Sequence, residues 1–109
     1  MSAQSLIAIM ALFDAEPSLI PILEEHLDDF DGAVLPHLLL SDVMRWIVSH
    51  REDSRIVESV FGWMESRLDD PIDDVGQLIL TSGVEMLPNP GELGSELRRM
   101  LPASLARYA

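Results

Sequence analysis

A chain of 109 residues, 48% of them hydrophobic and spread along its whole length, is sized for one domain around one core. With no Cys it can form no disulfide, thiolate metal site or thiol nucleophile, which suits a reducing compartment. Nineteen acidic residues against seven basic ones leave a net charge of −12; such a field favours solubility, repels nucleic-acid phosphates and anionic membranes, and draws basic proteins inward.

Helical periodicity runs through the sequence, and no segment alternates apolar and polar residues as a half-buried strand would. The first predicted helix spans Ala3 to Phe13, with Leu6, Ile9, Met10 and Phe13 on one face and Ser2 as N-cap. Its apolar run is too short for a membrane span, which needs about 20 residues, and lacks the basic lead of a secretory signal. A soluble cytoplasmic protein is therefore expected. Asp14 to Pro17 ends this helix. A second starts near Ser18, read as N-cap with Pro21 in the first turn. Leu19, Ile20, Leu23, Leu27 and Phe30 form its apolar face; Glu24, Glu25, Asp28 and Asp29 gather on the other, and Asp31-Gly32 stops it.

The third helix, Pro36 to about His50, is apolar almost all round and is expected to be the central, most buried one. Its polar residues His37, Ser41, Arg45 and Ser49 make a narrow stripe, with Asp42 beside it. The fourth begins after Asp53-Ser54, continues to about Leu68 and buries Ile56, Val57, Val60, Phe61, Met64 and Leu68. Asp70-Pro71 reads as a cap with Pro at the first position of the fifth helix. There Ile72, Val75, Leu78, Ile79, Met86 and Leu87 carry the apolar face, and Thr81, Ser82 and Gly83 allow close approach of a neighbour. After the break at Pro88-Asn89-Pro90-Gly91, short helices are expected near Ser95–Leu101 and Ala103–Tyr108. The fold class predicted is all-α: a single domain over residues 1–109, with five main helices, short C-terminal ones and HEAT-like packing of helical pairs.

Catalytic and metal chemistry find little support. Glu24-Glu25-His26-Leu27-Asp28-Asp29 mixes carboxylates with a His, yet contains no His pair at i,i+4 and no Glu-x-x-His. On the helix wheel Glu25 and Asp29 share a face and His26 points elsewhere. Asp29-Phe30-Asp31-Gly32 resembles part of a calcium loop, but the first and twelfth ligands would be Leu27 and Leu38, which excludes an EF-hand. His37, Ser41 and Asp42 share a helix with no nucleophile elbow or oxyanion hole. Arg98-Arg99 is the only pair of adjacent bases, so no basic stripe suits nucleic acid. No enzyme activity, cofactor or metal is expected.

Protein recognition fits better. Residues 1–34 hold seven acids and no base, so their field has no local neutralisation. The candidate partner-binding residues are Glu24, Glu25, Asp28, Asp29 and Asp31 on and after the second helix. The stripe around His37, Arg45 and Trp46 adds residue types common in binding hot spots. Asp42 lies within helical reach of Arg45, so a purely structural pair orienting the central helix is the competing reading.

Two family resemblances accompany these patterns. Asp69-Asp70-Pro71-Ile72-Asp73-Asp74-Val75, joining the fourth and fifth helices, resembles the turn of one HEAT-type helical pair, with Gly76 where that pattern often has a basic residue. Glu25-His26-Leu27, Leu35-Pro36-His37, Asp42-Val43-Met44-Arg45-Trp46 and Pro90-Gly91-Glu92 together resemble small bacterial helical immunity proteins of toxin systems, over residues 17–101. The second resemblance implies a non-enzymatic inhibitor that neutralises a cognate, basic toxin domain in the cytoplasm, and it carries over no binding residues. The first implies an adaptor or scaffold module instead.

Overall fold

Ser2 launches the first helix. Its Oγ accepts the Ser5 N–H at 3.1 Å, satisfying one of the amides that a helix start leaves free, and α1 runs over Ala3–Ala15. The computed structural model describes residues 2–109, all-helical with no strand among them. Beyond α1 a 3₁₀ turn at Pro17–Leu19 leads into α2, Ile20–Asp29, and this stretch meets α1 at 105°. Ser18 is therefore not the N-cap expected of it: its hydroxyl donates to Glu16 inside the bend, and α2 begins without a side-chain cap. Asp31 and Gly32 close α2 at φ +53° and +82°, where the Gly32 N–H donates to the Leu27 carbonyl at 2.7 Å.

The helices α3, Pro36–Ser49, and α4, Ser54–Arg67, follow the periodicity closely. Asp53 caps α4 by accepting the Ile56 N–H at 3.4 Å. The fifth helix differs. Asp70-Pro71 forms a turn, with the Ile72 N–H donating to Asp70 Oδ1 at 3.0 Å, and α5 covers only Asp74–Ser82, capped by Asp73 on the Gly76 N–H at 2.7 Å. An Asp three residues further on competes better because its carboxylate meets a free amide of the first turn. The helix also stops before Met86 and Leu87, at Gly83, and a 3₁₀ turn at Val84–Met86 follows. A 3₁₀ segment at Ser95–Met100 and the short α6, Ala103–Ala106, complete the chain.

Helix α3 touches α1, α2 and α5, and so occupies the middle of the bundle as its apolar content requires. It is not apolar all round in its setting, since Leu38 is 47% exposed. Leu39, Leu40, Val43, Met44 and Ile47 enter the core with Ile9, Leu12, Phe61, Met64, Leu78 and Ile79. The α5 helix lies chiefly on α3 and α1 and less on α4. Two glycines set its position. A Cβ on Gly76 would lie 2.0 Å from the Asp70 carbonyl oxygen, and one on Gly83 would lie 2.3 Å from that of Ile79 and 2.8 Å from Met64 Cε. Trp63, outside the face predicted for α4, is buried and donates its indole N–H to the Ala8 carbonyl at 3.0 Å, tying α4 to α1. The radius of gyration, 13.0 Å, is that of one compact unit of this length. Among the described residues no single helix is long and apolar enough to cross a membrane.

Candidate protein-binding cleft

The α2 helix presents a different face to the core than its leucines suggest. Its buried residue is His26, only 1% exposed, with Leu23 and Leu27 half-buried on either side and Ile20 and Phe30 turned outward. The sequence pattern allows this, because Leu19, Ile22, Leu23 and His26 recur at helical spacing. His26 packs at 4.8 Å from the Phe30 ring, and its Nε2 accepts the Leu35 N–H at 3.0 Å, pinning the loop that enters α3. On the helix wheel His26 points away from the face shared by Glu25 and Asp29; in the fold its ring is buried and all three residues line one cleft. His26 Nδ1 is the one buried side-chain polar atom without a hydrogen-bond partner among the described residues. Since Nε2 accepts, the neutral ring carries its proton on Nδ1.

With His26 at the centre, the acidic quartet divides. Glu25 and Asp29 flank a cleft of about 290 Å3 between α2 and α3, facing Asp42 and Trp46 across it, with Ile22 and His26 also lining it. Glu24 and Asp28 are exposed and do not line this cleft; neither does Asp31, which sits in the following turn. The cleft thus holds three carboxylates from two helices beside an indole. Trp46 stacks on His50, ring centroids 4.0 Å apart and 12° from parallel, and His50 Nδ1 lies 2.9 Å from the Trp46 carbonyl oxygen. One face of the indole is covered in this way.

The stripe expected along α3 also divides. Arg45 and Asp42 do pair, one turn apart, but at the surface: the arginine side chain is 62% exposed. An ion pair so placed contributes little to stability. His37 lies on another side of α3, with Nδ1 2.6 Å from Ser82 Oγ on α5. It borders a separate hollow of about 320 Å3 near the N-terminal ends of α1, α3 and α5. Much of the polar lining there is already engaged: Ser2 with Ser5, His37 with Ser82, and Gln77 with the Pro71 carbonyl. The α2–α3 cleft, though slightly smaller, offers more uncommitted charge.

A contrasting carboxylate sits at the α1–α2 bend. Glu16 is buried, and both its oxygens accept from Arg55 of α4, at 2.9 and 3.2 Å, while Ser18 donates to one of them. The Arg55 hydrogen bonds, then that of Ser18, lower its pKa from 4.5 to about 2, against the opposing effect of burial. Glu16 also raises the pKa of Arg55, through the same bonds and then its charge. Along the sequence Glu16 is one of the seven acids of residues 1–34, which hold no base; the arginine that neutralises it lies 39 residues away.

Among the described residues, no three His, Asp or Glu side chains lie close enough together to hold a metal ion. No family model matches the chain, and neither the curated proteins nor the solved structures contain a match to it.

Proposed function

We propose that this protein is a non-enzymatic inhibitor of the immunity type, which captures a basic toxin domain on the face where α2 meets α3. The observation that carries this reading is the cleft: Glu25 and Asp29 on one wall, Asp42 and Trp46 on the other. Arg45, on α3, is held on Asp42 at the surface. Carboxylates left without cations on a fold of net charge −12 repel one another, and a basic partner relieves that repulsion as it docks. Complementary potential of this kind speeds encounter and discriminates against acidic partners. The immunity role itself draws on the resemblance of Glu25-His26-Leu27, Leu35-Pro36-His37 and the Asp42–Trp46 segment; parts of all three border the cleft or, through the Leu35–His26 bond, hold its shape.

Protection tests the proposal. The polypeptide encoded beside this chain, produced alone, should stop growth, and production of both together should restore it. The two should purify as a stable complex in which the partner's mass is unaltered. Growth arrest that persists despite an excess of folded protein, or a partner released in chemically altered form, overturns it.

A further inference from the structure

We propose that the α2–α3 cleft recognises a single arginine side chain of the partner, received between the Glu25 and Asp29 carboxylates on one wall and Trp46 with Asp42 Oδ2 on the other, Asp42 Oδ1 being held by Arg45. The inference rests on the binding role given to this face above and names the group that is bound. Three observations narrow the occupant. The carboxylates stand on both walls of the cleft, not at one point, and with His26 they do not come close enough together to ligate a metal ion. His26 offers no lone pair either, because Nε2 is occupied by the Leu35 N–H and the proton of the neutral ring therefore resides on Nδ1. An extended organic cation remains.

A guanidinium meets these conditions better than an ammonium. It is flat, directs five donors outward in one plane and can bond carboxylates on two sides at once, whereas an ammonium acts as a compact point charge. It also stacks on indole, and Trp46, whose other face is covered by His50, lines the cleft. The cleft, at about 290 Å3, has room for the guanidinium and its last methylenes with bridging water. His26 supplies an independent pointer. It is one of the residues lining this cleft, and its buried Nδ1–H has no acceptor within the fold. A peptide carries such an acceptor in the main-chain carbonyl beside its arginine.

The test uses the full chain and N-acetyl-arginine methylamide at low salt, read by the two indole N–H resonances. Trp63 is an internal control, because its N–H is buried on the Ala8 carbonyl and it does not line the cleft. The Trp46 resonance should shift saturably while that of Trp63 stays still. N-acetyl-lysine methylamide should bind about tenfold more weakly, and the neutral isostere N-acetyl-citrulline methylamide should produce no saturable shift. Equal responses to arginine and citrulline, or lysine matching arginine, overturn the proposal on the unaltered chain, so no variant needs to fold. The combined variant Glu25→Gln, Asp29→Asn, Asp42→Asn should lose the response; an undiminished response also overturns it. A variant that loses the response yet still protects cells fully removes the cleft from the interface and leaves the inhibitor reading standing. Failure of the unaltered chain to protect, with the arginine response intact, does the reverse.

Discussion

Two carboxylate sites in this small bundle have opposite arrangements. At the α1–α2 bend, Glu16 is buried and fully engaged by Arg55 and Ser18, so its charge is used within the fold. At the α2–α3 cleft, Glu25 and Asp29 stand opposite Asp42, and the buried imidazole beneath has an unpaired N–H. The first arrangement stabilises the folded state; the second leaves interactions open that only another molecule can complete. A net charge cannot distinguish them, because both count equally in it. What separates them is how far the chain's own cation reaches: Arg55 takes both oxygens of Glu16, whereas Arg45 bonds Asp42 and not Glu25 or Asp29.

The largest expected effect lies at the cleft. Neutralising Glu25, Asp29 and Asp42 together should weaken partner binding by about a hundredfold or more, since close charge pairs at interfaces couple strongly. Urea unfolding of the same variant should show unchanged or slightly higher stability. Binding that survives intact, measured by calorimetry at low and high salt, would end the contrast between the two sites.

Glu16→Ala should do the converse, costing about 2 kcal/mol of stability through its lost charge-assisted hydrogen bonds, with the partial exposure of Arg55 tempering the loss. Partner affinity, corrected for the folded fraction, should not change. Acid titration probes the same group. Its folded-state pKa, about 2, lies below the ordinary 4.5, so its contribution is present in full above about pH 4.5 and disappears as pH falls toward 2. Glu16→Gln should flatten the stability profile across that window; a profile identical to that of the unaltered chain would show that the Arg55 pair contributes nothing.

Gly76→Ala should cost about 1–3 kcal/mol in the same assay, because the added methyl meets backbone at Asp70, which cannot move aside like a side-chain tip. The smallest effect is expected from Glu24→Gln with Asp28→Asn. These residues carry the same charge as Glu25 and Asp29 but lie outside the cleft, so stability should change by only a few tenths of a kcal/mol. Association should slow slightly through the weaker long-range field. A loss of affinity as large as that from the Glu25, Asp29 and Asp42 substitutions would place the interface on the outer side of α2.

Local order determined much of what was legible in the linear sequence. Ser2 caps α1 because a short polar side chain can reach a free amide within three residues. The all-helical class, the centrality of α3 and the stop at Asp31-Gly32 likewise follow from periodicity and backbone preference over short spans. The caps expected at Ser18 and Asp70 do not form: Ser18 donates to Glu16 instead, and Asp73 caps α5.

The candidate site was only half visible. Glu25, Asp29 and Trp46 were singled out as members of an acidic face and a polar stripe, but Glu24, Asp28 and His37 carried the same signal and lie elsewhere. Which flank of α2 faces α3 depends on its rotation about its own axis, and two flanks rich in acid look alike along the chain. The tertiary structure decided that rotation by burying His26, because Leu35, nine residues later, offers an N–H that only its Nε2 meets. The same kind of distant contact, Arg55 on Glu16, decided which acid serves the fold. Composition determined how much negative charge this protein carries; the packing of α1, α2, α3 and α4 decided which of it is left for a partner.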